Sequence, residues 1–392
     1  MIHILLEVFW RFLVLGLYAF GGPTAHIGYF HKEFVEKRRW LSDQDYADTV
    51  ALCQMLPGPA SSQVGMSIGF SRAGILGAFA AFLGFTLPSA LLMIALAFGY
   101  EFIAGVPAAM GILHGVKLFA VAVVADALVK MGKSLCPDRP RITLALLAAA
   151  LMLLVPHVFT QVGVVLGAGV VGFIVYRNHP FDNAVPAHVM GGKKMAFICG
   201  LLFLLGLFVL PAIAVSSGNT TLALFDSFYR AGALVFGGGH VVLPMLEAEV
   251  VHVGGVTPEA FIAGYSAAQA VPGPMFTLAP FLGGTYGGSF HIGYALAALF
   301  GIFAPSFLLL AAAWPFWNHL KNMPKLRAAI NGINASVVGL LLAAFYDPVV
   351  TFAIKEGQDV ALALLAYLLM VTWKFPIALM VPLFAAIGFV LY

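Results

Sequence analysis

The chain has 392 residues, 61% of them hydrophobic and 9% charged, with 20 Lys and Arg against 17 Asp and Glu for a formal net charge of +3. Soluble domains carry roughly a quarter charged residues, and a mean hydropathy of +0.98 sets this chain outside that class. The small, loop-scattered charge excludes a nucleic-acid surface, and Cys53, Cys136 and Cys199 show neither metal spacing nor a disulfide framework.

Met1 to Arg11 lacks a charged leader and a small-residue cleavage pattern, so it reads as a retained first helix and not a signal peptide. That helix, Leu5 to Phe20, is predicted to break at Gly21-Gly22-Pro23, with a short segment running on to about Val35. Asp45 to Leu56 and Ala60 to Phe70 then flank Pro57-Gly58-Pro59. Each flank spans about 17 Å as a helix, half of a bilayer, which predicts a re-entrant hairpin with its tip near mid-membrane. Unwound backbone at that depth has to be buried in protein or line a wet cavity. Ser61, Ser62 and Gln63 follow on the first turn of the departing helix, where free N–H groups and the positive dipole end suit an anion. The alternative is that Gly and Pro merely allow kinks and close packing. Further along, Ala73 to Tyr100, Ile142 to Tyr176, Met195 to Val215 and Ala361 to Tyr392 are apolar runs of spanning length.

The same punctuation then returns. Phe20-Gly21-Gly22-Pro23 reappears 216 positions on as Phe236-Gly237-Gly238-Gly239. Gln54-Met55-Leu56-Pro57-Gly58-Pro59 reappears at offset 215 as Gln269-Ala270-Val271-Pro272-Gly273-Pro274, followed by Thr277. Gly84-Phe85-Thr86-Leu87-Pro88-Ser89 pairs at offset 217 with Gly301-Ile302-Phe303-Ala304-Pro305-Ser306. Helices broken at matching positions of two halves point to a transport site at the repeat interface. The division expected is residues 1–176 as a first repeat, 177–220 as a cytoplasmic connector plus one unmatched helix, and 221–392 as a second repeat.

Sixteen of the 20 Lys and Arg lie in Lys32 to Arg39, Arg72, Lys130 to Arg141, Arg177 to Lys194, Lys321 to Arg327 and Lys374, which the positive-inside rule puts in the cytoplasm. Equivalent loops are oppositely charged. Lys37-Arg38-Arg39 matches uncharged Val253 to Gly255, Glu101 to Pro107 matches the basic stretch from Asn318 to Pro324, and Lys130 to Arg141 matches the acidic stretch from Asp347 to Asp359. The expected fold is an all-α polytopic membrane protein of two inverted-topology repeats with broken and re-entrant helices. Met195 to Val215 is the odd helix that inverts the second.

Arg11, Lys117 and Arg230 are the basic residues within spans, and each costs at least about 2.5–3.5 kcal/mol at a helix centre. Arg11 and Arg230 precede the two Phe-Gly-Gly breaks and would suit a negatively charged substrate; Arg11 would otherwise snorkel to the interface. His26 and His240 adjoin the repeated glycines and are candidates for a transported proton, the plainer reading being hydrogen-bonded core histidines. Glu247 either takes a proton or faces an aqueous vestibule, and a carboxylate such as Glu247 is also a candidate partner for Arg230. Zinc-protease, nucleophile-elbow and P-loop motifs are absent, which opposes a membrane enzyme and a primary pump.

The stretches from Phe20 to Phe30, Gln54 to Gln63, Gly84 to Ala90, Phe236 to Pro244 and Gln269 to Pro274 closely resemble the chromate transporter family in its two-domain, long-chain form. The resemblance covers nearly the whole chain. It implies a secondary transporter that exports chromate and thereby confers resistance, with sulfate as the alternative oxyanion. It implies no cofactor; the expected partners are the oxyanion and the lipid bilayer, in a bacterial inner membrane, and a homodimer is the assembly to test.

Overall fold

In a computed structural model the described residues are 2–19, 22–103, 107–155, 158–176, 192–235, 242–316 and 323–392. They form helices and turns, with no strand among them. The first series runs α1 (Ile2–Tyr18), α2 (Gly22–Phe30, continued as a π-helix over His31–Lys37), α3 (Asp43–Met55), α4 (Ala60–Ile103), α5 (Pro107–Leu135), α6 (Arg139–Leu154) and α7 (Val158–Tyr176). Next come α8 (Lys193–Phe208) and α9 (Leu210–Ser217), bent by 45° at their junction, where Pro211 opens the second helix. This bent pair covers the run Met195 to Val215 read as one helix, and nothing in the first series matches it. The second series runs α10 (Thr220–Leu234), α11 (Val242–Val250), α12 (Pro258–Ala270), a 3-10 turn at Met275–Thr277 leading into α13 (Leu278–Gly284), α14 (Ile292–Ala313), α15 (Pro324–Ala344), α16 (Gly357–Tyr367) and α17 (Ile377–Leu391).

α4 is two arms and not one long rod. At Ala73 and Gly74 the backbone leaves helical values, Gly74 at φ +61°, and the chain doubles back so that Gly69 lies against Gly77 and Ala81. In the second series the turn from Thr285 to His291 does the same work between α13 and α14. The first arm of α4 therefore returns to the side on which α3 began. Arg72, at its end, stacks on Trp40, just before α3, with its guanidinium 4.7 Å from the ring centroid. The hairpin of α12 and α13 closes likewise, Gly287 N–H donating to Gly255 O at 2.7 Å. Both hairpins enter and leave on one face, as re-entrant segments do.

Packing follows the repeat with one twist. Within each series the first helix lies along the long helix that follows the hairpin, α1 on the second arm of α4 and α10 on α14. Small residues allow the approach: a Cβ on Gly16 would meet Phe85 O at 2.7 Å, and on its equivalent Gly232 would strike Ile302 O. The last two helices of each series cross over. α6 and α7 pack on α15, while α16 and α17 pack on α5. Gly172 of α7 faces Gly332 of α15, and Gly115 of α5 faces Gly388 of α17, the same pair in reversed roles.

The equivalent helices α5 and α15 pack together antiparallel. His114, early in α5, reaches Asp359 beyond the end of α15, whereas Leu128, Met131 and Leu135 at the other end of α5 pack around Ala335 and Val338. A two-fold relation that reverses helix direction has its axis across the helices, the geometry of an inverted repeat. Large apolar side chains such as Leu147, Leu154, Leu166, Val170, Phe197 and Phe208 face outward. In water that surface would be untenable; in a bilayer it is the lipid contact. The chain is a multi-pass membrane protein. By length and apolar composition, Ala60–Tyr100 through its second arm, Ile292–Phe316 and Pro324–Ala353 are long enough to cross.

Candidate transport site

The two Pro-Gly-Pro tips each reach across to the other series. A residue preceding proline is pushed toward extended backbone, and Leu56 (ψ 146°) and Val271 (ψ 134°) end α3 and α12 in that way. Gly58 and Gly273 then take φ of +117° and +103°, values that side chains disfavour. The turn aims each glycine N–H at a carbonyl of a helix end: Gly58 donates to Val235 O at 2.6 Å and Gly273 to Ala19 O at 3.0 Å. Ala19 and Val235 are equivalent residues, each immediately before a repeated Phe-Gly-Gly motif. Each hairpin thus caps the broken helix of the other series by a bond to one of the carbonyls left free at its end.

The serines of the third repeated motif stand over the same glycines. A Cβ on Gly58 would lie 2.5 Å from Ser306 Oγ and 2.7 Å from Gln63 Nε2; one on Gly273 would lie 2.8 Å from Ser89 Oγ. Pro59 and Pro274 are buried, as are Ser61, Ser62, Gln63 and Thr277. Gln63 Nε2 donates to Pro57 O at 2.8 Å, and Thr277 Oγ1 donates to Pro274 O at 2.7 Å. Ser62 Oγ, Gln63 Oε1, Thr86 Oγ1 and Ser306 Oγ are buried without a partner among the described residues. His26 is buried against Phe85; its Nε2–H donates to Ala19 O at 3.1 Å, leaving Nδ1 to accept from the Ser61 hydroxyl at 3.3 Å. Gln54, expected at this tip, is exposed, while its equivalent Gln269 donates to Met275 Sδ at 3.3 Å. Gly22 and Pro23 open α2, Gly22 at φ +73°, and Pro272 stands half-buried before the second tip. Gly21, Gly237, Gly238, Gly239 and His240 lie outside the described residues.

The cations part company. Arg230 is paired: Nη1 and Nη2 grip Glu249 at 2.5 and 2.9 Å, and Nε holds Asp226 Oδ2 at 3.1 Å. Its planar fork is engaged by two carboxylates, and the ion-pair partner is Glu249 and not Glu247. Arg11 and Lys117 have no carboxylate within ion-pair distance among the described residues, Arg11 with Nε buried and unpartnered and Lys117 itself buried. Glu247 lines a cavity of about 90 Å³ with Asp347 and His252, whose Nε2 lies 3.5 Å from the carboxylate.

Both series also end in a tyrosine on a carboxylate: Tyr176 donates to Asp138 at 2.7 Å and its equivalent Tyr392 donates to Asp359. Burial favours the neutral form of Asp138, but bonds from Arg141 and Tyr176 outweigh it and hold that carboxyl down at about 2. Sequence reasoning singled out neither these latches nor Ser89 and Ser306; the serines lay inside the quoted repeats, where matched hydroxyls beside matched prolines were the available signal.

Re-entrant hairpins that interlock two antiparallel series, with a buried polar patch at their tips, are the architecture of a polytopic membrane transport protein. The chain belongs to the chromate transporter family, whose sequence pattern matches twice, over residues 6–173 and 222–389. It is 30% identical over 387 residues to the chromate transport protein of Pseudomonas aeruginosa, covering 97% of this chain and 90% of that one. It is 28% identical over 361 residues to that of Cupriavidus metallidurans, 91% and 84% of the two chains. An uncharacterised transporter of Methanocaldococcus jannaschii is 29% identical over 339 residues, 86% and 83% of the two. No solved structure matches the chain.

Proposed function

We propose that this protein carries chromate, a tetrahedral divalent oxyanion, out of the cytoplasm across a bacterial inner membrane, and so confers chromate resistance. The observation that carries the reading is the pair of crossed tips, where helix starts and unpartnered hydroxyls are buried together at the meeting of two halves. Residues 1–176 and 221–392 act as the two inverted repeats, joined by 177–220. Lys32 to Arg39 and Arg72 mark the cytoplasmic mouth of the first hairpin, and Gly255 and Gly287 the outer mouth of the second. With Arg230 neutralised, Arg11 and Lys117 are the span cations left to offset a dianion. Export needs no fuel molecule: a dianion leaving a negative interior gains roughly 4.6 kcal/mol per 100 mV.

Sulfate is the second reading, because hydroxyl and N–H donors recognise the charge and shape of a tetrahedral oxyanion and not its central atom. Coupled protons would use Glu247, whose cavity it shares with a second carboxylate and His252. His26 serves this less well, since both ring nitrogens are engaged. Proteoliposomes holding the purified protein should accumulate chromate under an interior-positive potential and lose it when an ionophore collapses the potential. Accumulation no greater than in empty liposomes overturns the proposal.

A further inference from the structure

The two tips share a backbone and differ in their hydroxyls. A serine or threonine buried in a helix ordinarily donates to a carbonyl three or four residues back. This protein keeps that habit at Ser266, which donates to Ile262 O at 2.7 Å, at Thr285 to Phe281 O at 3.0 Å and at Ser336 to Ile333 O at 2.8 Å. It keeps it also at the Gly273 tip, where Ser89 donates to Thr86 O at 3.0 Å and Thr277 to Pro274 O. At the Gly58 tip the habit fails.

Ser306 is fully buried (0% exposed) and directed at Gly58, yet its hydroxyl has no acceptor among the described residues. Ser62, on the first turn of the helix leaving that tip, is also buried with its hydroxyl unpartnered among the described residues. Gln63, also fully buried, spends one amide hydrogen on Pro57 O and has another to give. Its Oε1 is no ligand for an anion and has to turn away or take a hydroxyl hydrogen. On the Gly273 side the comparable free hydroxyl is Thr86, whose own carbonyl already serves Ser89. A buried polar group left unsatisfied costs about 1–3 kcal/mol. Two such hydroxyls at one tip, beside the free N–H groups of a helix start, make a donor set waiting for an acceptor.

We infer that the oxyanion binds at the Gly58 tip alone, held by Ser306 from the second series with Ser62 and the first-turn N–H groups of α4 from the first. The Gly273 tip is its structural counterpart, and the chain takes one anion and not two. The inference rests on the oxyanion-transport reading above and adds where the anion sits and which hydroxyls select it. Ser306 contributes from a different series than the tip it serves, so the site exists only when the halves are interlocked.

The test is equilibrium binding of sulfate and of chromate to the purified full chain in detergent, by calorimetry. Ser306→Ala should weaken both anions by about tenfold or more, as removal of one hydrogen bond to a charged group predicts. Ser89→Ala, the equivalent change at the other tip, should leave affinity within about twofold, and binding should saturate at one anion per chain. Ser306→Cys, of nearly the same shape and a poor donor, replaces the alanine variant if that fails to fold. Wild-type affinity in the folded Ser306 variant, an equal loss in Ser89→Ala, or two anions per chain overturns the inference while leaving the transport reading intact. A folded wild type that binds neither anion overturns both.

Discussion

Gly58→Ala concentrates the structural claims about the first tip in a single methyl group. At φ +117° an alanine backbone is strained by about 1–3 kcal/mol. The methyl would also stand 2.5 Å from Ser306 Oγ and 2.7 Å from Gln63 Nε2. Both side chains are fully buried, so neither can swing into solvent; each leaves its rotamer at about 0.5–1.5 kcal/mol. Any shift of the tip lengthens the Gly58 bond to Val235 O as well. The total is about 3 kcal/mol or more. Gly218→Ala is the control: φ there is +62° and nothing lies within 4 Å of the added Cβ, so it carries only the left-handed cost of about 1–2 kcal/mol. Thermal unfolding in detergent, followed by tryptophan fluorescence, should show Gly58→Ala losing at least twice the midpoint shift of Gly218→Ala. Anion uptake should be abolished in the first and kept in the second. Adding Ser306→Gly to Gly58→Ala should recover part of the midpoint, because the colliding atom is gone. Equal shifts for the two alanines, or no recovery in the double variant, would refute a tip packed as described.

Arg230→Gln strands Glu249 and Asp226 without their cation. Breaking a buried pair costs about 3–5 kcal/mol, and the Arg230 side chain is 27% exposed, so a smaller loss of folded protein is expected, with uptake per folded molecule unchanged. Adding Glu249→Gln should restore much of the yield; normal yield with reduced uptake per molecule would return Arg230 to the anion path. Gly388→Ala would drive a methyl into Gly111 O and Gly115 where α17 crosses α5, and should lower the unfolding midpoint sharply, whereas Gly163→Ala on α7, with nothing within 4 Å, should not. Indistinguishable midpoints would sink the account of the crossed helices.

The hairpins were legible in the sequence because their determinants are local. Pro57-Gly58-Pro59 can continue neither helix, and the expected flanks, Asp45 to Leu56 and Ala60 to Phe70, fall within three residues of the observed Asp43–Met55 and the arm ending at Arg72. The fold-back at Ala73 and Gly74 also falls where Ser71 and Arg72 separate the expected arm ending at Phe70 from the apolar run beginning at Ala73. The partner of Arg230 was not legible. Glu247 and Glu249 are two residues apart on α11 and so face opposite sides, and which side meets α10 depends on how the chain re-enters after the glycines. Nor could composition tell that Ser89 back-bonds while Ser306 does not, since the residues and the preceding prolines are the same. That difference lies in the packing around each tip.

The crossed arrangement of terminal helices also sets an order of assembly. α6 and α7 leave the ribosome well before α15, whose Gly332 is the seat for Gly172. Until Pro324–Ala344 is made, the glycine and alanine face of α7 has only lipid to meet, and α5 waits still longer for Gly388 in the final helix. Neither half closes its own core. These pairings are long-range and can form only after α15 and α17 have been made. A ribosome that stops within α15 leaves a first half inserted in the bilayer, with small-residue grooves open to any neighbouring helix.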